Sequence, residues 1–303
     1  MQAGKALEIV VAVNPQAAFG SRRGAGEQVA ELLRAAGHQP RLLREASYQA
    51  LATQVHQALA TGVDALLMVG GDGMVHLGVN ALAAPGVPPT PMGVIPVGTG
   101  NDAARSLSLP LRDVPAAVER FLLGAENPQL IDLGRISSAT GERYFAVSCS
   151  AGFDAKVNER ANSWRWPKGR NRYNLAIARE LATFRPISYR LEVDGVPEEI
   201  EAMLIATANG QSLGGGMKIT PEAVMNDGEL DLFVVAPMSR LRLMNLLPKV
   251  FSGTHVGAPE VSIRRVRSVR IEASNVVAYA DGERIGPLPT QIDIVPGALT
   301  MWT

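Results

Sequence analysis

Ala65-Leu66-Leu67-Met68-Val69-Gly70-Gly71-Asp72-Gly73 runs five apolar residues straight into a glycine turn. An apolar run this short, without polar alternation, fits a strand covered on both faces, as in parallel sheets. Glycines at its carboxyl end let backbone approach a ligand closely. The N–H groups of such a turn, with those of a following helix, favour an anion. The stretch therefore reads as a phosphate cradle at the end of a sheet strand.

The flanking sequence supports a sheet of this kind. Leu7 to Val13 is a second apolar run with β-branched residues. Gly24 to Ala36 puts Val29, Leu32, Leu33 and Ala36 at helical spacing, and Gly37 ends the pattern. A strand at Arg41 to Leu43 and a helix at Tyr48 to Ala60, with Leu51, Val55 and Leu59 on one face, follow. Beyond the glycine turn come a helix from Val75 to Leu82, a proline-rich loop from Pro85 to Pro91, and a strand from Met92 to Val97. Strand and helix alternate across residues 1–132, which implies an α/β domain with a mostly parallel sheet.

Residues 133–303 read differently. Short strands are expected at Tyr144 to Ser150, Ser188 to Val193, Glu201 to Thr207, Leu230 to Val235, Val261 to Ile271, Val276 to Ala280 and Gln291 to Val295. Two helices interrupt them, near Tyr173 to Thr183 and Arg240 to Phe251. This is the pattern of a β-rich domain, sandwich-like or barrel-like, with its last strands as candidates to return to the first domain.

Composition narrows the function classes. The 29 basic residues balance the 29 acidic ones, so no global charge calls for nucleic acid. Cys149 is the only cysteine and sits among Phe145, Ala146 and Val147, as expected of a buried strand in a reducing cytoplasm. No apolar run approaches the roughly 20 residues of a spanning helix, so a cytoplasmic protein, peripheral at most to a membrane, is expected. His38, His56, His76 and His255 are scattered, without zinc-ligand spacing. G-x-G-x-x-G after the first strand and G-x-x-x-x-G-K-[ST] are both absent from the sequence.

Three strands of the first domain end in turns: Asn14-Pro15, Gly70 to Gly73, and Gly98-Thr99-Gly100-Asn101-Asp102. In open α/β sheets ligands bind beyond the carboxyl ends of strands, so the three turns are placed to line one crevice. Together they resemble the signatures of the diacylglycerol kinase catalytic-domain family, which includes sphingosine, ceramide and bacterial lipid kinases. The resemblance continues through Gly152-Phe153-Asp154, Asn209-Gly210, Gly214-Gly215-Gly216, Asp227-Gly228 and Asp281-Gly282-Glu283. It covers nearly the whole chain in order. The Gly-Gly-Asp-Gly turn alone is shared with NAD kinases and phosphofructokinases.

That resemblance implies an NAD kinase/diacylglycerol kinase-like fold and ATP with its phosphates on Gly70, Gly71, Asp72 and Gly73. Asn14, Pro15, Gly98, Thr99, Asn101 and Asp102 stand at nucleotide-contacting positions. The implied reaction moves the γ-phosphoryl group to a lipid hydroxyl, with diacylglycerol as first substrate and phosphatidic acid as product. Its loose transition state asks for positioning and Mg²⁺ charge neutralisation more than for a strong base. Glu283 matches the proposed proton acceptor, with Asp72 as the competing candidate. Bacterial members also imply an Mg²⁺ in the second domain, here on the Asp227 carboxylate and the carbonyls of Val224 and Glu229. From the residues alone, Asn226-Asp227-Gly228 reads as a hairpin turn, as does Asp194-Gly195.

Several positions depart from the family pattern. Met74 stands where threonine is usual, Leu77 replaces a glutamate, Ala18 a glycine, and Arg44 a threonine. These departures keep open a non-catalytic binding protein that kept the fold, while the shared Gly-Gly-Asp-Gly turn leaves an NAD kinase-like enzyme, beside a sphingosine-type one, as the other alternative. For the bilayer that would present the lipid, the stretch Trp164-Arg165-Trp166-Pro167-Lys168-Gly169-Arg170-Asn171-Arg172 combines tryptophan with basic residues. Trp164, Trp166, Lys168 and Arg170 are the expected membrane contacts. A solvated connection is the plainer reading of the same stretch.

Overall fold

The computed structural model describes residues 5–14, 24–152 and 185–303, with Val157, Arg160, Leu175 and Arg179 in addition. The chain divides into two compact units, Met1–Asp132 with Gly297–Thr303, and Leu133–Pro296.

In the first unit β1 (Glu8–Val13), β2 (Gln39–Leu43), β3 (Ala65–Gly70) and β4 (Met92–Pro96) form a parallel sheet in the order β2-β1-β3-β4. Side chains alternate across it. Ile9, Val11, Leu67, Val69 and Ile95 pack with Val29 and Leu33 of α1 (Ala25–Ala35) and Val118 and Phe121 of α5 (Val114–Gly124). On the other face Gly78 of α3 (Asp72–Leu82) lies close to Met68 and Met92. A Cβ at Gly78 would stand 2.6 Å from the Met92 sulfur. Helix α2 (Tyr48–Ala60) starts where the Ser47 hydroxyl accepts the Ala50 N–H, and it buries Leu51, Val55 and Leu59. The end of the chain completes this unit. Met301 pairs with Met92 in parallel, and the Trp302 ring lies 5.2 Å from that of Phe121.

The second unit is a two-layer β structure. One layer is antiparallel, in the order β12 (Val261–Val266), β11 (Leu230–Val235), β10 (Leu204–Ala208), β7 (Ser148–Gly152), β14 (Val277–Ala280) and β15 (Glu283–Pro287). The facing layer holds β6 (Gly141–Phe145) paired with β5 (Gln129–Ser138) and β8 (Ile187–Val193) paired with β9 (Val196–Ala202). It also holds β13 (Ser268–Glu272) and the first half of β16 (Thr290–Met301). Strand β10 shows the layering residue by residue. Ile205 enters the core shared with Tyr189, Leu191, Val269 and Ile292, while Ala206 and Ala208 face the opposite way. That outer face is covered by Leu243 and Val250 of α6 (Arg240–Ser252). Burying such a side chain stabilises by about 1.5–3 kcal/mol.

The expected α/β unit with a parallel sheet and the β-rich sandwich are both present, with local differences. Helix α3 begins at Asp72 rather than Val75, so the second half of the glycine turn is helical. Helices α4 (Asp102–Ser106) and α5 and strands β5, β9 and β15 are additions. The single strands expected at Tyr144 to Ser150, Glu201 to Thr207 and Val261 to Ile271 are each two. In the last case the Asp194 carboxylate accepts the Arg267 and Ser268 N–H groups at 2.9 and 2.8 Å, and the chain changes sheets there. The Asp194-Gly195 hairpin is as expected, both residues having positive φ. Of the helix expected over Tyr173 to Thr183 only Leu175 and Arg179 are described, both helical. No helix among the described residues is long and apolar enough to cross a membrane.

Candidate active site

In the first unit two glycine turns pack backbone against backbone. The Val97 and Gly98 N–H groups donate to the Gly70 carbonyl at 3.0 and 3.1 Å. A Cβ on Gly98 would stand 2.3 Å from the Gly71 Cα, so only glycine permits this approach. Helix α3 starts inside the turn. The N–H groups of Met74 and Val75 are taken by the Gly71 carbonyl, whereas those of Asp72 and Gly73 precede the first intrahelical bond. The result is a helix N-terminus framed by glycine backbone, suited to an anion.

The neighbouring turn is tied to this one. Asp72 accepts the Ala103 N–H at 3.2 Å, joining the first turns of α3 and α4. Asn101 adopts a left-handed conformation, with φ of 58°, and its amide donates to the Gly98 carbonyl at 3.0 Å. Its Oδ1 is buried with no hydrogen-bond partner among the described residues and lies 3.6 Å from where a Gly71 Cβ would be. Asn14 reaches the same place, since its N–H donates to the Val69 carbonyl at 3.1 Å. Tyr48 adds a hydroxyl that donates to the Gly73 carbonyl at 2.9 Å, a contact that no motif announced. Thr99 is exposed on the turn and Asp102 is buried. Met74, the irregular neighbour of the turn, is buried beneath Gly70, where a Cβ would meet its Cγ at 2.3 Å. It serves packing, in a position turned away from the solvent side. Pro15 and Ala18 lie outside the described residues, as do Phe153 and Asp154 and the expected membrane contacts Trp164, Trp166, Lys168 and Arg170.

In the second unit, Glu283 opens β15 after a two-residue hairpin. Asp281 and Gly282 have φ of 48° and 86°, the primed turn that matches strand twist. The Asp281 carboxylate is buried and accepts three N–H groups, from Ala146 at 2.9 Å, Val147 at 3.0 Å and Ser148 at 3.2 Å. Asn209 secures the same bend, donating its amide to the Ala146 carbonyl at 2.9 Å. This clasp separates β6 from β7, which is why Tyr144 to Ser150 is not one strand. It also holds the exposed Glu283 carboxylate on a rigid hairpin. The Asp281 clasp escaped sequence reading because its partners lie more than 130 positions away.

Asp227 and Glu229 come together around a guanidinium. Asp227 Oδ1 accepts the Glu229 N–H at 3.1 Å, and Oδ2 lies 3.1 Å from Arg265 Nη1. The same nitrogen is 3.4 Å from Glu229 Oε2. Among the described residues no group of three or more His, Cys, Asp or Glu is arranged to hold a metal. Arg265 supplies positive charge beside both carboxylates. Beside them, burial pushes the Asp231 carboxyl up to about 6; Asp227, Glu229 and Glu222 add to the rise, and Arg265 opposes it. Folded Asp231 thus favours its proton, so its contribution to stability is complete below about pH 4 and is lost as pH rises through 6. The full shift corresponds to about 3 kcal/mol, which solvent screening of a half-exposed carboxyl reduces to about 1–2 kcal/mol. Asp231→Asn is therefore expected to raise the unfolding temperature relative to the parent at pH 8, with the gap closing by pH 4. Thermal melts across that range check it.

Comparison with known proteins places this geometry. A family model described as the diacylglycerol kinase catalytic domain matches residues 8–136. A second, described as the YegS C-terminal NAD kinase beta sandwich-like domain, matches residues 147–303. A diacylglycerol kinase of Mycobacterium tuberculosis is 43% identical over 211 residues, 69% of this chain and 68% of that protein. One of Bacillus subtilis is 28% identical over 212 residues, 70% of this chain and 68% of that protein. Among solved structures, a diacylglycerol kinase from Bacillus anthracis superposes with a TM-score of 0.71 at 23% identity, covering 98% of this chain and 97% of the other. An NAD kinase from Archaeoglobus fulgidus in complex with ATP gives 0.53 at 12% identity, covering 98% and 94%, which speaks to the fold alone. With both halves matched in order and a curated relative above two-fifths identity, the chain belongs to the diacylglycerol kinase family.

Proposed function

We propose that the protein is an ATP- and Mg²⁺-dependent lipid kinase that phosphorylates diacylglycerol to phosphatidic acid. The observation that carries the reading is the pair of interlocked glycine turns at Gly71 and Gly98, opening on the N-terminus of α3. In this proposal the first unit binds the nucleotide. The N–H groups of Asp72 and Gly73 receive phosphate oxygens, and Asn14 and Thr99 contact the rest of the nucleotide. Asp72, anchored by the Ala103 N–H, and Asp102 orient the reacting phosphates. The unpartnered, buried Oδ1 of Asn101 beside them suits a hard cation or a donor, so these residues fit the Mg²⁺ of the bound nucleotide. That ion supplies neutralisation of phosphate charge.

The second unit binds the lipid and brings Glu283. Phosphoryl transfer passes through a loose transition state, so what the chain contributes is position and charge more than base strength. The Glu283 carboxylate accepts the proton of the lipid hydroxyl as its oxygen bonds to phosphorus. The Asp281 hairpin keeps that carboxylate from wandering. A panel of acceptors in mixed micelles with radiolabelled ATP tests the reading. Label is expected in phosphatidic acid when diacylglycerol is present. Transfer to sphingosine or to NAD in its place would reassign the substrate, and no transfer to any acceptor would leave a binding protein.

A further inference from the structure

Helix α6 is apolar on two sides, and the fold uses only one. Leu243, Leu246 and Val250 are buried, Leu243 and Val250 against the outer face of β10 and β11. On the other side Leu241 is 70% exposed, Met244 56% and Phe251 51%, with Pro248 exposed among them. At 100° per residue these four fall within about 80° of the helix circumference, so they form one continuous stripe. Val256, 47% exposed, follows in the short 3-10 turn after the helix. A helix apolar on all sides belongs in a core or a membrane, and this one has its second face in solvent.

The charges along this face have one sign. Residues 239–259 contain Arg240, Arg242 and Lys249 and no Asp or Glu. Arg242 is committed to Glu260, at 3.0 and 3.2 Å. Arg240 and Lys249 are exposed and have no ion-pair partner among the described residues. By the same helical geometry they fall on opposite flanks of the stripe. Lys218 joins them at the C-terminal end, its N–H donating to the Val250 carbonyl at 2.9 Å. Apolar side chains flanked by long cationic ones are the arrangement of an interfacial helix, with carbon chains at the acyl boundary and charges at the headgroups. A second copy of the chain is a poorer partner, because a two-fold pairing of this face would set Arg240 and Lys249 against their own counterparts.

We propose that the exposed face of α6 docks the protein on the surface of an anionic lipid bilayer. Leu241, Met244 and Phe251 enter the interface, and Arg240, Lys249 and Lys218 contact the headgroups. This gives the lipid-kinase reading an element that faces its substrate; it rests on that reading for its purpose and not for its measurement.

Co-sedimentation of the full chain with vesicles tests it, using phosphatidylcholine alone or mixed with phosphatidylglycerol. Binding is expected to the mixed vesicles, weakening as salt is raised. Arg240→Gln with Lys249→Gln should lower that binding at least tenfold, at about fivefold per cation. Leu241→Gln with Phe251→Gln should lower it by a similar factor. Both double variants should keep the parent's unfolding temperature and its turnover of a short-chain, water-dispersed diacylglycerol. Equal binding to both vesicle types, or binding unchanged in both variants, overturns the proposal. So does a dimer in solution that the Leu241/Phe251 variant dissolves, because the occupant is then a second copy. If no lipid is phosphorylated while vesicle binding follows the expected pattern, the kinase reading falls and the docking face stands.

Discussion

Glu283→Gln is expected to lower phosphoryl transfer to diacylglycerol by about a thousandfold, within the 10²–10⁴ that a positioned proton acceptor contributes. Glutamine keeps the size of the side chain and loses its ability to take a proton. Glu283 is exposed at the head of β15, so neither folding nor nucleotide affinity should change. The loss should therefore fall in kcat, with the Kd for ATP within about twofold of the parent by titration, as for an interaction made only in the transition state. Retained turnover would move the proton acceptor to Asp72, and Asp72→Asn would then carry the large loss. The Ala103 N–H on Asp72 argues for the first outcome, since that contact suits a fixed orienting group.

Asp281→Ala should cost about 3–5 kcal/mol of stability, because three buried N–H groups lose one shared acceptor and each unsatisfied group costs about 1–3 kcal/mol, partly relieved by relaxation. Urea unfolding is the direct measure, with a lowered midpoint at unchanged m-value as the expected result. The same substitution should reduce turnover in excess of the unfolded fraction, since the hairpin that presents Glu283 loses its anchor. Asp281→Asn separates the two effects. An amide oxygen can still accept from Val147 and Ser148, so part of the stability should return. A midpoint for Asp281→Ala within about 1 kcal/mol of the parent would show that water replaces the carboxylate.

What could be read without coordinates was mostly local. Strand β3 and the turn behind it were legible because five apolar residues followed by glycines admit few alternatives. Helix α2 was legible through the spacing of Leu51, Val55 and Leu59. The early start of α3 was hidden because glycine reads as loop, although a first helical turn tolerates it when the helix is held by packing at Gly78. Helix α5 did carry its signal, Asp113 as cap with Pro115 in the first turn and Val118 and Phe121 at helical spacing. Strand β9 was obscured by Glu198, Glu199 and Glu201, side chains that an exposed strand face can carry. The broken strands were a different case. Asp281 decides where β6 stops, and Asp194 decides where β12 gives way to β13; neither tie has a local trace.

The site divides along the same line. Glycines at 70, 71, 73 and 98 were legible because backbone proximity leaves a compositional mark. The Tyr48 hydroxyl on Gly73 and the Asp281 clasp were not, because each is one ordinary residue made specific by a distant partner. The pairing of Arg265 with Asp227 and Glu229 is of the same kind, because it joins positions far apart in the chain and leaves no local mark.

The return of the chain to its first unit sets an order of events during synthesis. Residues 1–132 emerge long before Met301 and Trp302, the residues that pair with Met92 and pack on Phe121. Until those two residues leave the ribosome, β4 has one unpaired edge and Phe121 lacks its aromatic neighbour. The second unit, contiguous in sequence, can close before the first is whole. The nascent glycine turns therefore wait on an unfinished sheet, the state in which a bare strand edge most invites pairing with another chain.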